Sequence, residues 1–143
     1  MTRISEDEYF INIAKQSAIR GTCLRRQVGC VLVDYKGHIL STGFNGNPHG
    51  VVHCEDSPCP GANLKSGEGL DKCEAIHAEI NAIVHCRDIQ AITRCYVTVS
   101  PCIYCIKALL ATDCKEIIFL EEYAHIKSKD LWEKSNRIWR QYG

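Results

Sequence analysis

The sequence has no excess of charge of either sign and no long apolar run. Its 17 Lys and Arg balance 17 Asp and Glu, so it lacks the positive field that attracts nucleic acid polymers. No apolar stretch approaches the roughly 18 to 20 residues of a membrane span, and the opening MTRISEDEYF lacks the apolar core of a signal peptide. We therefore expect a cytoplasmic protein that acts on a small molecule, with no membrane and no nucleic acid polymer as partner.

Internal repeats, low-complexity tracts and interdomain linkers are missing as well. The 143 residues have the length of one domain, and 45% apolar and 24% charged residues are ordinary for a globular protein. The sequence therefore predicts one domain over residues 1–143.

The spacing of apolar residues predicts helices that alternate with strands. Ser5, with Glu8 three positions later, is typical of a helix N-terminus. A strand, a helix and another strand in succession imply parallel pairing at the centre of a sheet whose faces carry helices. The predicted elements are helix 5–20, strands 28–34 and 38–44, helix 75–86, strand 94–100, helix 101–112, strand 115–121 and helix 128–142. The expected fold is a three-layer α/β/α domain with a central mixed sheet of four or five strands.

Cysteine is abundant, with ten in the chain, although disulfides are rare in cytosolic proteins. Cys30, Cys86, Cys95 and Cys114 lie in apolar periodic segments, and we expect them to be core thiols. Several of the other six lie in or beside a connection of about thirty residues that is rich in Gly, Pro, Asn and Asp. Such a long connection is uncommon inside a compact domain unless a function or a ligand orders it.

Cys102 and Cys105 lie at the predicted start of a helix, in SPCIYC (100–105). Pro101 suits the first helical position, because its missing N–H would be unpaired there, and the positive end of the helix dipole favours thiolates in the first turn. Two sulfurs three residues apart share a helix face and can bind one metal ion. Because zinc normally takes three or four protein ligands, a third ligand has to come from elsewhere.

The best third ligand is His77, near the start of the predicted second helix. One His and two Cys leave the fourth tetrahedral position to water, which is the arrangement of a catalytic zinc. HAE followed by PCxxC is also the known signature of zinc deaminases. Glu79, two residues after His77, points about 200° away around a helix axis. It is therefore expected to carry protons from the water to the substrate and not to bind the metal.

Four segments together resemble deoxycytidylate (dCMP) deaminases. They are CLRRQVG (23–29), TGFNGNPHG (42–50), HAEINAI (77–83) and SPCIYC (100–105), and the resemblance covers roughly residues 8–125. It implies a cytidine deaminase-like fold and hydrolysis of dCMP to dUMP, in which zinc-bound hydroxide attacks C4 and Glu79 shuttles protons. It also implies a homohexamer with dCTP as activator, for which Mg²⁺ would be the companion ion, and dTTP as inhibitor.

The resemblance further implies a set of substrate contacts. Asn45 is expected to hold the sugar and the base. Arg25 or Arg26 is expected to hold the 5′-phosphate, because a guanidinium can donate two parallel hydrogen bonds to it. Ala78 and Ser100 complete the substrate-binding positions. A turn role for Asn45 and solvated surface positions for the arginines are the structural alternatives.

A second, structural zinc in the long connection is also implied by the resemblance. The long connection has too few apolar residues to become ordered by packing alone, and a closed metal site with four ligands would order it. The candidate ligands are Cys23, Cys54, Cys59 and Cys73, with His53 as the donor that competes with Cys59.

Two other functions stay open at this point. One is another nucleic-acid-base deaminase of the superfamily, which the balanced charge opposes. The other is a non-catalytic zinc module of the competence type. Glu79 separates this module from an enzyme, since a structural zinc has no need of a carboxylate beside an open coordination position.

Overall fold

The structure, a computed structural model, describes residues 2–22, 26–46, 76–123 and 127–143. A short 3₁₀ helix, Ile89–Ala91, precedes the third strand. In these ranges the other elements are α1 (Glu6–Ile19), β1 (Gly29–Val33), β2 (Ile39–Phe44), α2 (Ala78–Val84), β3 (Arg94–Val99), α3 (Ile103–Leu110), β4 (Glu116–Glu121), α4 (Lys127–Lys134) and β5 (Ile138–Gln141). None of these helices combines the length and the apolar character needed to cross a membrane.

The strands form one mixed sheet in the order β2-β1-β3-β4-β5. β1 is antiparallel to both β2 and β3, whereas β3, β4 and β5 run parallel to one another. The predicted parallel pairing and the predicted mixed sheet are therefore confirmed, with five strands.

Helices cover both faces of the sheet. Alternate residues of each strand point to opposite faces, so two separate cores form. α1 covers one face, and that core consists of Phe10, Ile11, Ala14, Val31, Val33, Tyr96 and Ile118. α2, α3 and α4 cover the other face, where the core includes Leu32, Ala82, Val97, Ile106, Phe119 and Trp132. This confirms the predicted three layers.

The thiols that we expected in the core are there. Cys30, Cys95 and Cys114 are fully buried, and Cys86 packs against the same core from its margin. The Cys30 and Cys95 sulfurs lie 3.6 Å apart as free thiols on neighbouring strands. These four residues need no explanation beyond packing.

The C-terminal region differs from the prediction. α4 ends at Lys134, Asn136 adopts a left-handed conformation with φ 63°, and Ile138–Gln141 form β5. Asparagine is one of the few residues that tolerate this conformation, which ends helices. The Trp132 indole then donates to the Ile138 carbonyl at 2.8 Å and holds the chain as it turns back into the sheet. The predicted single helix over 128–142 is therefore wrong in its second half.

A group of charged side chains ties α1 to the far edge of the sheet. The Asp7 carboxylate accepts hydrogen bonds from Arg140, at 2.7 and 3.3 Å, and from the Tyr96 hydroxyl at 2.7 Å. Arg140 also donates to Glu116 at 2.7 Å. Hydrogen bonding from Arg140, supported by Tyr96, lowers the pKa of the Asp7 carboxyl.

Replacing Asp7 by Asn is expected to lower the free energy of unfolding in a pH-dependent way. Because the pKa of Asp7 is lower in the folded chain, its contribution is complete above the ordinary value of 3.8 and is lost as pH falls through the folded value. Arg140 is 39% exposed, so water screens the pair and the loss at pH 7 should be about 1 kcal/mol.

Urea denaturation from pH 7 down to pH 3 measures this loss. The matched control is Glu8→Gln. The Glu8 carboxylate lies in the same helical turn as Asp7 but forms no ion pair within the described ranges. A loss that is the same at every pH, or that is equal in the control, would contradict the role given to Asp7.

Candidate active site

Two helix N-termini meet at the carboxyl end of β3. His77 is the residue immediately before α2, and Cys102 is the residue immediately before α3. Both have extended backbone conformations, and Cys105 follows in the first turn of α3. The predicted helix start at Pro101 is wrong by two residues, because Pro101 precedes the capping position that Cys102 occupies.

His77, Cys102 and Cys105 form a compact group of metal-binding atoms. The His77 Nδ1 atom lies 3.4 Å from each sulfur, and all three ligand atoms lie within 4.8 Å of one another. Tetrahedral zinc, with Zn–S bonds of about 2.3 Å and Zn–N bonds of about 2.0 Å, places such atoms about 3.5 Å apart. Cys102 is 5% exposed and Cys105 is fully buried. These residues therefore fit one zinc ion in both chemistry and spacing.

One of the two thiols, Cys102, is favoured as a thiolate. Hydrogen bonding from Cys105, and then from His77, lowers the pKa of Cys102 to about 4. The same interaction with Cys102, together with burial, raises the pKa of Cys105 well above its usual value. The pair thus holds one negative charge at neutral pH beside an imidazole, which is a donor set that favours a soft cation.

Glu79 lies beside this group in the first turn of α2 and is only 4% exposed. Within the described part of the chain, no carboxylate oxygen joins the three clustered ligand atoms. Burial raises the pKa of Glu79 to about 7, while the nearby His77 acts in the opposite direction. A carboxyl group with a pKa near neutrality can both accept and release a proton at physiological pH.

A glycine lets α2 lie unusually close to the sheet. A Cβ atom at Gly43 would lie 2.3 Å from the Ala78 carbonyl oxygen and 2.6 Å from the Ala82 nitrogen. Both of these are backbone atoms of α2, so any larger residue would push the helix, and the two functional residues at its start, away from the sheet.

Hydrogen bonds fix the start of α2 to the end of β2. Asn81 donates to the Phe44 carbonyl at 2.8 Å, and Ile76 exchanges two backbone bonds with Gly46, at 2.7 and 3.1 Å. His77 follows Ile76 directly, so this bridge sets the position of its imidazole. No sequence pattern predicts this bridge directly, although Gly43 and Gly46 both belong to the TGFNG motif.

Asn45 has a structural role in the site. It is 7% exposed, its amide oxygen accepts from the Val28 N–H at 2.8 Å, and its amide nitrogen donates to the Arg26 carbonyl. One amide hydrogen and one lone pair remain for another partner. The side chain thus holds the segment that leads into β1, and its expected role in binding the sugar and the base stays a prediction.

The remaining predicted substrate-binding positions lie at the same edge of the sheet. Arg26 pairs with Glu121 at the end of β4, at 3.0 Å. The Ser100 hydroxyl accepts from the Tyr123 N–H, and the Ser100 N–H donates to the Glu121 carbonyl at 2.8 Å. Ala78 is buried in the first turn of α2, where backbone N–H groups have no partner within the helix.

The candidate ligands of a second zinc lie outside the described residues, as does Arg25. They are Cys23, Cys54, Cys59 and Cys73, with His53 as the competing donor.

The chain is similar in sequence to several deaminases. A family profile described as the cytidine and deoxycytidylate deaminase zinc-binding region matches residues 4–121. Deoxycytidylate deaminase of Schizosaccharomyces pombe is 35% identical over 126 residues, which are 85% of this chain and 38% of that protein. Deoxycytidylate deaminase of Mycobacterium phage D29 is 35% identical over 130 residues, which are 85% of this chain and 99% of the phage protein. This chain thus spans well under half the length of the fission yeast enzyme.

Two further similarities bear on function and on fold. ComE operon protein 2 of Bacillus subtilis is 35% identical over 140 residues, which are 94% of this chain and 70% of that protein. The crystal structure of dCMP deaminase from cyanophage S-TIM5 in apo form superposes with a TM-score of 0.76 at 22% identity, over 99% of this chain and 100% of that chain. This confirms the predicted cytidine deaminase-like fold. The profile match over most of the chain, with its two zinc-ligand motifs, shows that the chain belongs to the cytidine and deoxycytidylate deaminase zinc-binding family.

Proposed function

We propose that this protein is a zinc-dependent deaminase that converts dCMP and water into dUMP and ammonia. The observation that carries the proposal is the convergence of His77, Cys102 and Cys105 within 4.8 Å, beside a buried Glu79 that does not belong to the ligand group. The relatives named deoxycytidylate deaminase support dCMP as the substrate. We place this activity in the cytoplasm.

The zinc ligands proposed here are the His77 Nδ1 atom and the two cysteine sulfurs. A zinc ion with three protein ligands acts as a Lewis acid that lowers the pKa of a coordinated water. The protein would fix the position of the ion through the starts of α2 and α3, and the lowered pKa of Cys102 favours a thiolate that offsets part of the charge of the ion.

Glu79 is proposed to carry the protons of the reaction. Its carboxylate accepts a proton from the attacking water and donates it to N3 of the cytosine ring as C4 becomes tetrahedral. It then takes the second proton of the water and delivers it to the amino group, which leaves as ammonia. Each water proton thus ends on the substrate or on the leaving group, and Glu79 returns to its starting state.

The substrate is proposed to bind across the carboxyl ends of the neighbouring strands β3 and β4. Arg26 would bind the 5′-phosphate, and Asn45 would position Arg26 through its backbone carbonyl and use its remaining amide hydrogen for the nucleoside. The Ala78 N–H, which lies in the first helical turn where N–H groups have no intrahelical partner, suits the carbonyl of the base. Ser100 would keep the chain after β4 against the start of α3, through Tyr123.

A non-catalytic zinc module is the second candidate function. ComE operon protein 2, which is 35% identical over 94% of this chain, has a name that states no enzymatic activity. The buried Glu79 argues against a zinc module, because a carboxylate that is removed from water costs stability and a structural metal site would not require one. An activity measurement decides between the two candidates.

The remaining features rest on the resemblance to dCMP deaminases. They are a homohexamer, activation by dCTP with Mg²⁺ and inhibition by dTTP. A second zinc rests on this resemblance as well. Its proposed ligands are Cys23, Cys54, Cys73 and either Cys59 or His53. A zinc content near two ions per chain would support the second site.

Replacing Glu79 by Gln is expected to lower dCMP turnover by about 10² to 10⁴, because the proton carrier is lost. Zinc content should stay unchanged, since Glu79 lies outside the ligand group. Ultraviolet absorbance reports conversion to dUMP, and metal analysis of the same sample serves as the control. Loss of zinc from this variant would show that Glu79 is a ligand. A wild-type protein that binds zinc without any turnover would favour the zinc module.

Replacing Arg26 by Gln is expected to raise the KM for dCMP by about 10- to 100-fold, which corresponds to the loss of a charge-assisted hydrogen bond. The KM for deoxycytidine should not change, because that substrate has no phosphate. The matched control is Arg87→Gln, which removes an exposed arginine just beyond the opposite end of α2. Equal effects on both substrates, or wild-type rates that are equal for dCMP and deoxycytidine, would contradict phosphate recognition by Arg26.

A further inference from the structure

The arginine proposed to bind the substrate phosphate has a carboxylate partner within the protein. An Nη2 atom of Arg26 lies 3.0 Å from a carboxylate oxygen of Glu121, and the two side chains are 42% and 65% exposed. An ion pair this exposed is weak, because water and salt screen it, and it typically changes an equilibrium constant by no more than about fivefold. It can therefore be opened by a stronger anion.

The strand register places this pair at the edge of the sheet that carries the metal ligands. β1 is antiparallel to β3, so the residues before Gly29 lie beside the carboxyl end of β3. Glu121 is the last residue of β4 and pairs with Val99 of β3. The Glu121 carbonyl also accepts from the N–H of Ser100, which leads through one proline into Cys102. Glu121 thus lies at the same edge of the sheet as the residues that the proposed function assigns to the nucleotide.

A phosphate monoester is a better partner for Arg26 than a carboxylate is. It carries a charge of about −1.5 to −2 at pH 7 and three acceptor oxygens, against one negative charge and two oxygens for Glu121. Each pair of parallel N–H donors on a guanidinium includes Nη2, and Nη2 of Arg26 is the atom that donates to Glu121. A phosphate that accepts two parallel hydrogen bonds from Arg26 therefore competes with Glu121 for this nitrogen and for the positive charge.

We propose that Glu121 competes with the 5′-phosphate of dCMP for the guanidinium of Arg26, and so sets how strongly the site prefers nucleotides over nucleosides. This inference rests on the proposed function, since it assumes that dCMP binds with its phosphate at Arg26. Glu121 touches neither the metal ligands nor the reacting atoms in this account. It acts on binding alone, through the availability of Arg26.

The test is Glu121→Gln, which keeps the size of the side chain and removes its charge. The KM for dCMP should fall by about 2- to 5-fold, the range expected for an exposed ion pair, while kcat and the KM for deoxycytidine stay within about 1.5-fold. Calorimetric titration of dCMP into Glu79→Gln, with and without Glu121→Gln, should show the same gain in affinity without turnover. The gain should shrink as salt is raised.

Glu122→Gln is the matched control. The Glu122 side chain is exposed, is adjacent to Glu121 in the sequence and forms no ion pair in the described ranges, so this variant removes the same charge without affecting Arg26. An equal gain in this control would show a general charge effect and overturn the competition. A second check is Glu121→Gln in the Arg26→Gln background, where no gain is expected. A gain that persists without Arg26 would overturn the proposal.

A rise in the KM for dCMP on Glu121→Gln, in place of the expected fall, would also overturn the proposal. It would show that Glu121 orients Arg26 for phosphate and does not compete with it. These outcomes are distinct from failure of the proposed function. If the wild-type protein does not convert dCMP, the function itself is wrong. If it does convert dCMP and Glu121→Gln binds dCMP no better, only the competition is wrong.

Discussion

The close approach of two helix N-termini is the constraint on which the rest of this structure depends. His77 and Cys102 occupy the positions immediately before α2 and α3, and the His77 Nδ1 atom has to reach within about 3.5 Å of two sulfurs for one ion to bind all three. Gly43 allows α2 to sit on the sheet closely enough for this. The backbone bridge between Gly46 and Ile76 then fixes the imidazole.

Burial of charge at this point is balanced by the expected cation. A carboxyl group that is 4% exposed beside a thiolate is unfavourable in a protein interior, which is why burial raises the pKa of Glu79 to about 7. A dication held by His77, Cys102 and Cys105 would stabilise both the thiolates and the neighbouring carboxylate. The arrangement that costs stability without a metal is therefore the one that the proposed function uses, with Glu79 as the proton carrier next to a Lewis acid.

Much of the fold and the heart of the site could be predicted from the sequence, because their signals are local. The β-branched runs and the Ser5 cap mark elements directly, and the spacing of HAE and PCxxC places metal-binding side chains at helix starts. β5 was missed because Ile138 and Trp139 also fit helical spacing, and only the left-handed Asn136 breaks the helix.

The contacts of Asn45 and of Arg26 could not be predicted from the sequence for a different reason. Both depend on partners that are far away along the chain. Asn45 binds the backbone of the segment before β1, and Arg26, also before β1, pairs with Glu121 of β4 on the far side of β3. No periodicity or spacing encodes such pairs. A motif can therefore indicate that Asn45 and Arg26 matter, but it does not indicate whether they bind the substrate or other residues of the protein. The predicted zinc ligands differ in this respect, because the spacing of HAE and PCxxC at helix starts already indicates that a metal ion is their partner.

Diffraction from crystals of the zinc-loaded protein, collected above and below the zinc absorption edge, tests the central claim most directly. The account predicts an anomalous peak about 2.0 to 2.3 Å from His77 Nδ1 and from the Cys102 and Cys105 sulfurs, with no fourth protein atom bound to that ion. A peak away from these three residues, or a fourth protein ligand that fills the open position, would contradict it.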